Sequence, residues 1–135
     1  MSTRQMDEVK HQKYILVVDD DVKMLKLLSL RLAQEGYRAV AVESGESALA
    51  HIKIEKPGLV LLDIMMPGMS GFEVLQRIKV MDPNVSVCPV CIVTAVYDEE
   101  EGKRCFAAGA YEYITKPIDF EYLKKAILIK LFPDE

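Results

Sequence analysis

Apolar runs and helical patterns alternate along the chain. Tyr14 to Val18 (YILVV) is five apolar residues in a row, ending abruptly at Asp19, Asp20 and Asp21. A run this short, closed by polar residues, predicts a buried strand rather than a helix. From Val22 to Glu35 the apolar positions recur at helical spacing, as at Leu25, Leu28 and Leu32, and Gly36 is a helix stop. Residues 37–42 predict a second strand and 45–55 a second helix. Leu59 to Leu62 (LVLL) predicts a third strand, closed by Asp63. Ser70-Gly-Phe-Glu73 has capping-box spacing and opens a third helix. Val90 to Thr94 predicts the fourth strand and Asp98 to Gly109 the fourth helix, whose Asp98, Glu99, Glu100 and Glu101 place negative charge at its positive end. Tyr111 to Thr115 and Asp119 to about Leu131 complete the pattern as a fifth strand and a fifth helix.

Five strands alternating with five helices predict an α/β fold, a doubly wound parallel sheet. Wholly apolar strands such as LVLL fit a sheet covered on both faces. A chain of 135 residues suits a single core, and the boundaries read as a polar extension at 1–12, one domain at 13–132 and a tail at 133–135. Half the residues are hydrophobic and 28% are charged, which excludes a disordered chain. The net charge is -4 with no Lys/Arg stripe, so direct nucleic-acid binding is not expected. No apolar run approaches the ~20 residues of a membrane span, and the opening MSTRQMDEVKHQ lacks the apolar centre of a signal peptide. A cytoplasmic location with reduced cysteines follows as the expectation.

The polar residues that end the strands carry the chemistry. In an open parallel sheet, ligands bind at the carboxyl ends of the strands. Asp19 and Asp20 follow the first strand, Asp63 the third, Thr94 the fourth and Lys116 the fifth, so all five are expected at one edge. Crowded carboxylates resist ionisation unless a cation joins them, and a hard, oxygen-rich site suits Mg²⁺ better than a transition metal. A single strand-terminal acid is more simply a helix cap; five such positions in one chain argue for a site.

The blocks VVDDD (17–21), LLDIMMPGMSGFEVL (61–75), VTA (93–95) and AAGAYEYITKP (107–117) resemble the signature blocks of the receiver domains of bacterial two-component response regulators, over about residues 13–132. The resemblance implies the flavodoxin-like (βα)5 fold, a five-stranded parallel sheet in the order 2-1-3-4-5. It implies that Asp63 is the phosphoacceptor, and that Asp19, Asp20, Asp63 and the backbone carbonyl of Met65 hold Mg²⁺, with Asp19 acting largely through water. It further implies that Thr94 hydrogen-bonds the phosphoryl group, that Lys116 pairs with its charge, and that the Lys116–Pro117 bond is cis. Tyr113 takes the place of the aromatic switch residue, rotating to fill space behind Thr94 when Thr94 moves toward the phosphate. The partner implied is a sensor histidine kinase or phosphotransfer protein. The face built from the fourth helix, fifth strand and fifth helix is the expected site of change, with a second copy of the chain among its candidate partners.

Two rival readings differ in class. A Mg²⁺ phosphohydrolase with an aspartyl-phosphate intermediate usually needs a second acid two residues after its nucleophile, and Met65 stands there. A degenerate receiver acting as a constitutive binding module would not need Asp19, Asp20, Asp63, Thr94 and Lys116 together. The domain is therefore expected to be a signalling receiver that catalyses its own phosphorylation and dephosphorylation, not an enzyme acting on other substrates. The resemblance further implies that the positions two beyond Asp63 and Thr94 orient the water of hydrolysis, and here they are the apolar Met65 and Val96. Cys88-Pro-Val-Cys91 has CxxC spacing, but it enters a strand rather than a helix N-terminus and has no second CxxC, so both cysteines read as packing residues. His51 and His11 read as surface residues. In the last helix Phe120, Leu123, Ile127 and Leu131 are expected on the core face, with Tyr122 and Ile129 outside.

Overall fold

The computed structural model describes residues 13–133; the expected extension at 1–12, with His11, and the tail residues 134–135 lie outside them. In chain order the elements are β1 (Tyr14–Val18), α1 (Val22–Gln34), β2 (Arg38–Val42), α2 (Gly45–Ile54), β3 (Leu59–Asp63), α3 (Gly71–Lys79), β4 (Val90–Thr94), α4 (Glu99–Ala107), β5 (Glu112–Thr115) and α5, which runs over residues 120–131. The strands form one parallel sheet in the order β2-β1-β3-β4-β5. This is the flavodoxin-like order expected from the signature blocks.

Side chains alternate across the sheet, and the two faces build two cores. Tyr14, Leu16, Val18, Val60, Leu62 and Ile92 pack against Ala48 and Ile52 of α2 and against Val74, Leu75 and Ile78 of α3. Ile15, Val17, Leu59, Leu61 and Cys91 face the other way, against Leu25, Leu28 and Leu32 of α1 and Leu123, Ile127 and Leu128 of α5. β1, β3 and β4 are buried along their whole lengths, which is why those strands are apolar on both parities. Burying one such Leu or Ile side chain contributes about 1.5–3 kcal/mol.

Each long helix starts on a short polar side chain that satisfies first-turn amides. Asp21 accepts from Lys23 and Met24 of α1, Ser44 from Ser47 of α2, Ser70 from Glu73 of α3, Asp98 from Glu101 of α4 and Asp119 from Tyr122 of α5. The capping box expected at Ser70 forms by half, because the Glu73 carboxylate pairs instead with Arg77 at 3.0 Å, one turn along.

Three local expectations change. The stretch between α3 and β4 contains a single helical turn, Pro83–Ser86, capped by Asp82. Lys79 holds it in place, its ammonium donating to the carbonyls of Ser86 and Cys88 at 2.9 Å each. Within α5, Phe120–Leu123 passes into a π-helical turn at Lys124–Leu128 before Ile129–Leu131. That wider turn rotates the following residues, so Leu128 and Phe132 are buried alongside Leu123 and Ile127, while Phe120 and Leu131 are only partly covered. His51 is not a plain surface residue. It lies on α2 beside the buried Ile52, half-buried, with its ring edge-on to Tyr14 at 5.3 Å and its Nε2 buried with no hydrogen-bond partner among the described residues.

Candidate functional site

The carboxyl ends of β1, β3, β4 and β5 meet at one edge, and the site is built there. β1 delivers Asp19, wholly buried, and then Asp20, exposed at the rim. Asp63 ends β3 and is 4% exposed. Oxygen atoms of Asp19, Asp20 and Asp63 lie within 4.8 Å of one another. Lys116, just past β5, sets its ammonium 2.8 Å from Asp19 Oδ2 and 3.4 Å from Asp63 Oδ1. The peptide between Lys116 and Pro117 is cis.

Electrostatics at this edge pull in opposite directions. Burial and then the neighbouring Asp19 charge push the Asp63 carboxyl above its ordinary range, and Lys116 offsets only part of that. Burial disfavours the Lys116 ammonium, but the Asp19 and Asp63 carboxylates outweigh it and hold the lysine charged beyond its ordinary range. Asp19 Oδ1 accepts from the Asp21 amide at 2.9 Å. Its Oδ2 is buried, with the Lys116 ammonium 2.8 Å away as its only contact among the described residues. A buried anionic oxygen with spare acceptor capacity, beside two further carboxylates, fits a hard divalent cation.

The loop after Asp63 is shaped by contact rather than by turn chemistry alone. A Cβ at Gly71, the first residue of α3, would fall 2.2 Å from the Asp63 carbonyl oxygen and 2.7 Å from Ile64 Cα. The Gly71 amide donates to the Ile64 carbonyl at 3.0 Å, so α3 begins against the backbone that carries Asp63. Gly68 takes a φ of 76°, the left-handed turn conformation that glycine accepts freely. Met65 stands in the same loop with its side chain 73% exposed, and its backbone hydrogen-bonds the Asp63 carboxylate. Val96, after β4, is 74% exposed. Both stand exposed in the loops that follow β3 and β4.

Thr94 closes β4 and is buried; its hydroxyl donates to the Val96 carbonyl at 3.0 Å, accepts from the Val96 amide at 3.3 Å and meets the Tyr113 hydroxyl. Tyr113 is 8% exposed, its ring already packed inside against α4. Its hydroxyl donates to Glu101 Oε1 at 2.6 Å and accepts from the Asp98 amide at 3.3 Å. Glu101 was visible in the sequence only as one of four acids at a helix start; its contact with Tyr113 depends on how α4 lies across β5. The cysteines are buried and free. Cys88 donates to the Pro57 carbonyl at 3.4 Å, and burial pushes its thiol up to about 11 and that of Cys91 to about 12. These are packing thiols, not redox ones.

Among the described residues, no helix is long and apolar enough to cross a membrane. A family model described as the response regulator receiver domain matches residues 15–128. Protein PilH of Pseudomonas aeruginosa is 39% identical over 116 residues, covering 84% of this chain and 93% of that protein. A cyclic di-GMP phosphodiesterase of Thermotoga maritima is 37% identical over 113 residues, but the chain spans only 29% of its length. Among solved structures, the Vibrio cholerae chemotaxis protein CheY4 matches with a TM-score of 0.80 at 27% identity, over 86% of this chain and 96% of that one. The family match runs through every strand of the sheet and all of the acidic edge, and the chain belongs to the response regulator receiver domains, the phosphoacceptor modules of two-component signalling.

Proposed function

We propose that this domain takes a phosphoryl group from the phosphohistidine of a sensor histidine kinase or phosphotransfer protein onto Asp63, in a Mg²⁺-dependent step. The observation that carries the reading is the joint position of Asp19, Asp20, Asp63 and Lys116 at one sheet edge, with Asp63 flanked by both an acidic cluster and an ammonium. Asp19, Asp20 and Asp63 would hold the cation, with the Met65 carbonyl as a further ligand. Bound there, Mg²⁺ would neutralise charge on the transferring oxygens.

The chain's own residues do the rest. An Asp63 oxygen forms the bond to phosphorus as the donor's N–P bond breaks; the electron pair stays with the imidazole nitrogen, which takes up a proton. Lys116 stays charged and near enough to meet the added anion. Thr94 would release the Val96 carbonyl and turn its hydroxyl to the phosphoryl oxygens, changing the face built from α4, β5 and α5. Such a face could contact an output partner or a second copy of the chain. The donor has a place to sit: a groove of about 610 Å³ runs between α1 and the start of α5, lined by Met24, Leu27, Leu28, Lys116, Ile118 and Phe120. Its apolar floor reaches Lys116 and hence the rim of the site.

The test is incubation with acetyl phosphate and Mg²⁺. Labelling of one phosphoryl group per chain, lost in Asp63→Asn, is expected. Multiple turnover would instead indicate a phosphohydrolase, and no labelling would indicate a binding module without phosphotransfer.

A further inference from the structure

Tyr113 takes the place of the aromatic switch residue, and contacts on every side specify its position. Its ring lies between α4 and β5, over Gly102. A Cβ at Gly102 would come within 3.2 Å of the ring, so the helix can lie this close only because that position has no side chain. Tyr97 meets the ring edge-on at 5.7 Å. At the far end, the hydroxyl donates to the Glu101 carboxylate at 2.6 Å, accepts from the Asp98 amide at 3.3 Å, and also meets the Thr94 hydroxyl.

A hydrogen bond to an ionised acceptor is about twice as strong as one between neutral groups. Glu101 makes no ion pair among the described residues that would compete for this oxygen; Lys103 of the same helix pairs with Glu99 and Glu100 instead. Glu101 is also independent of the acidic edge: its charge is present whether or not Asp63 carries a phosphoryl group. Burial, followed by the Glu101 bond, pushes the Tyr113 hydroxyl up to about 12, so at neutral pH it remains a donor.

We infer that Glu101 is a positioning residue that holds the Tyr113 ring inward, so that the ring's place is set by the helix α4 carboxylate rather than by phosphorylation of Asp63. It rests on the proposed phosphorylation of Asp63 and leaves the Tyr113 ring in place through that step. It assigns the remaining movement to Thr94, whose hydroxyl is engaged with the Val96 carbonyl, and to the β4–α4 connection. A ring held in advance removes part of the conformational cost from the phosphorylation step.

Nitration of the intact chain by tetranitromethane, read residue by residue by mass spectrometry, tests this. Tyr122 and Tyr97, both exposed, serve as internal references. In the wild type Tyr113 should resist nitration equally with and without acetyl phosphate and Mg²⁺. Glu101→Ala should raise its rate about tenfold, and Glu101→Gln, which keeps an acceptor oxygen, should restore most of the protection. In a stability cycle, Glu101→Ala should cost much less when made on Tyr113→Phe than on the wild type. A purely helical role for Glu101 would cost the same on both backgrounds. Equal nitration in wild type and Glu101→Ala overturns the inference, as does protection of Tyr113 that appears only after the phosphodonor is added. Failure of phosphorylation with the nitration pattern intact would instead count against the proposed function and leave the Glu101 contact standing.

Discussion

Replacing Gly71 with alanine sets a methyl group against the backbone that carries Asp63. The new Cβ would lie 2.2 Å from the Asp63 carbonyl oxygen, 2.7 Å from Ile64 Cα and 2.9 Å from the Asp63 carbonyl carbon. All three are backbone atoms, far inside the ~3.5 Å of a comfortable carbon contact, and none can swing aside as a side chain would. Relief needs the start of α3 and the end of β3 to separate by about 1 Å, a gap set by those same contact distances. Overpacking a well-packed site costs about 1–3 kcal/mol. Stretching the Gly71 amide bond to Ile64, now 3.0 Å, costs about 1 kcal/mol more. Alanine returns up to about 1 kcal/mol of helix propensity. A net loss of about 1–3 kcal/mol follows, which for a chain of 135 residues lowers the melting temperature by about 4–12 °C. Because the displaced carbonyl is that of Asp63 itself, the rate of labelling by acetyl phosphate should fall further than the stability loss explains at 25 °C, where the variant is still folded. Circular-dichroism melts and labelling time courses on the same samples check both. A melting temperature within about 2 °C of wild type, with labelling unchanged, would refute the claim that Gly71 is required by the Asp63 backbone.

Three further outcomes follow from the same geometry. Millimolar Mg²⁺ should raise the melting temperature by mass action, and Asp20→Ala should erase that rise; an undiminished response would remove Asp20 from the ligand set. Met65→Asn combined with Val96→Glu should speed the loss of phospho-Asp63 after donor removal, because polar groups at these exposed positions can orient the attacking water; slower decay in the double variant would refute this role for the two positions. At pH 8 the thiols of Cys88 and Cys91, held near 11 and 12 by burial, should react with a maleimide only at the rate of unfolding; reaction as fast as for a free thiol would place them outside the core.

The fold was legible because its three central strands are buried on both faces. Runs such as Tyr14 to Val18 and Leu59 to Leu62 are apolar at every position, and only a covered parallel sheet asks for that. The helix starts at Ser70, Asp98 and Asp119 were legible for a similar reason, since each sits where unpaired amides need an acceptor. Where a residue's place depends on a local departure from regular geometry, the pattern misleads. A 3.6-residue period carried through α5 puts Leu131 inside and gives no reason to bury Phe132. The π turn at Lys124–Leu128 rotates the end of the helix, so Phe132 packs edge-on against Tyr37 at 5.4 Å and lies over Gly58. His51 was hidden for another reason: a polar ring beside the buried positions of α2 can still cover the Tyr14 ring.

The acidic edge shows the same division between position and orientation. That Asp19, Asp63, Thr94 and Lys116 share an edge follows from strand ends in a parallel sheet, and the chain itself records strand ends as the points where apolar runs stop. Which way a hydroxyl points is not recorded there. Thr94 can donate to its own loop, at Val96, or toward Asp63, and the two choices differ by a single rotation about χ1. Tyr113 can lie inward or outward on the same strand. What decides between them is Glu101, twelve residues earlier, which reaches the ring only because α4 crosses β5 with Gly102 beneath the aromatic face. Four consecutive acids at a helix start are explained well enough by the helix dipole, and that sufficient explanation conceals the one among them with a second partner. The charged residues of the edge were therefore readable one by one, whereas the residue that meets the Tyr113 hydroxyl became readable only through the contact between two elements.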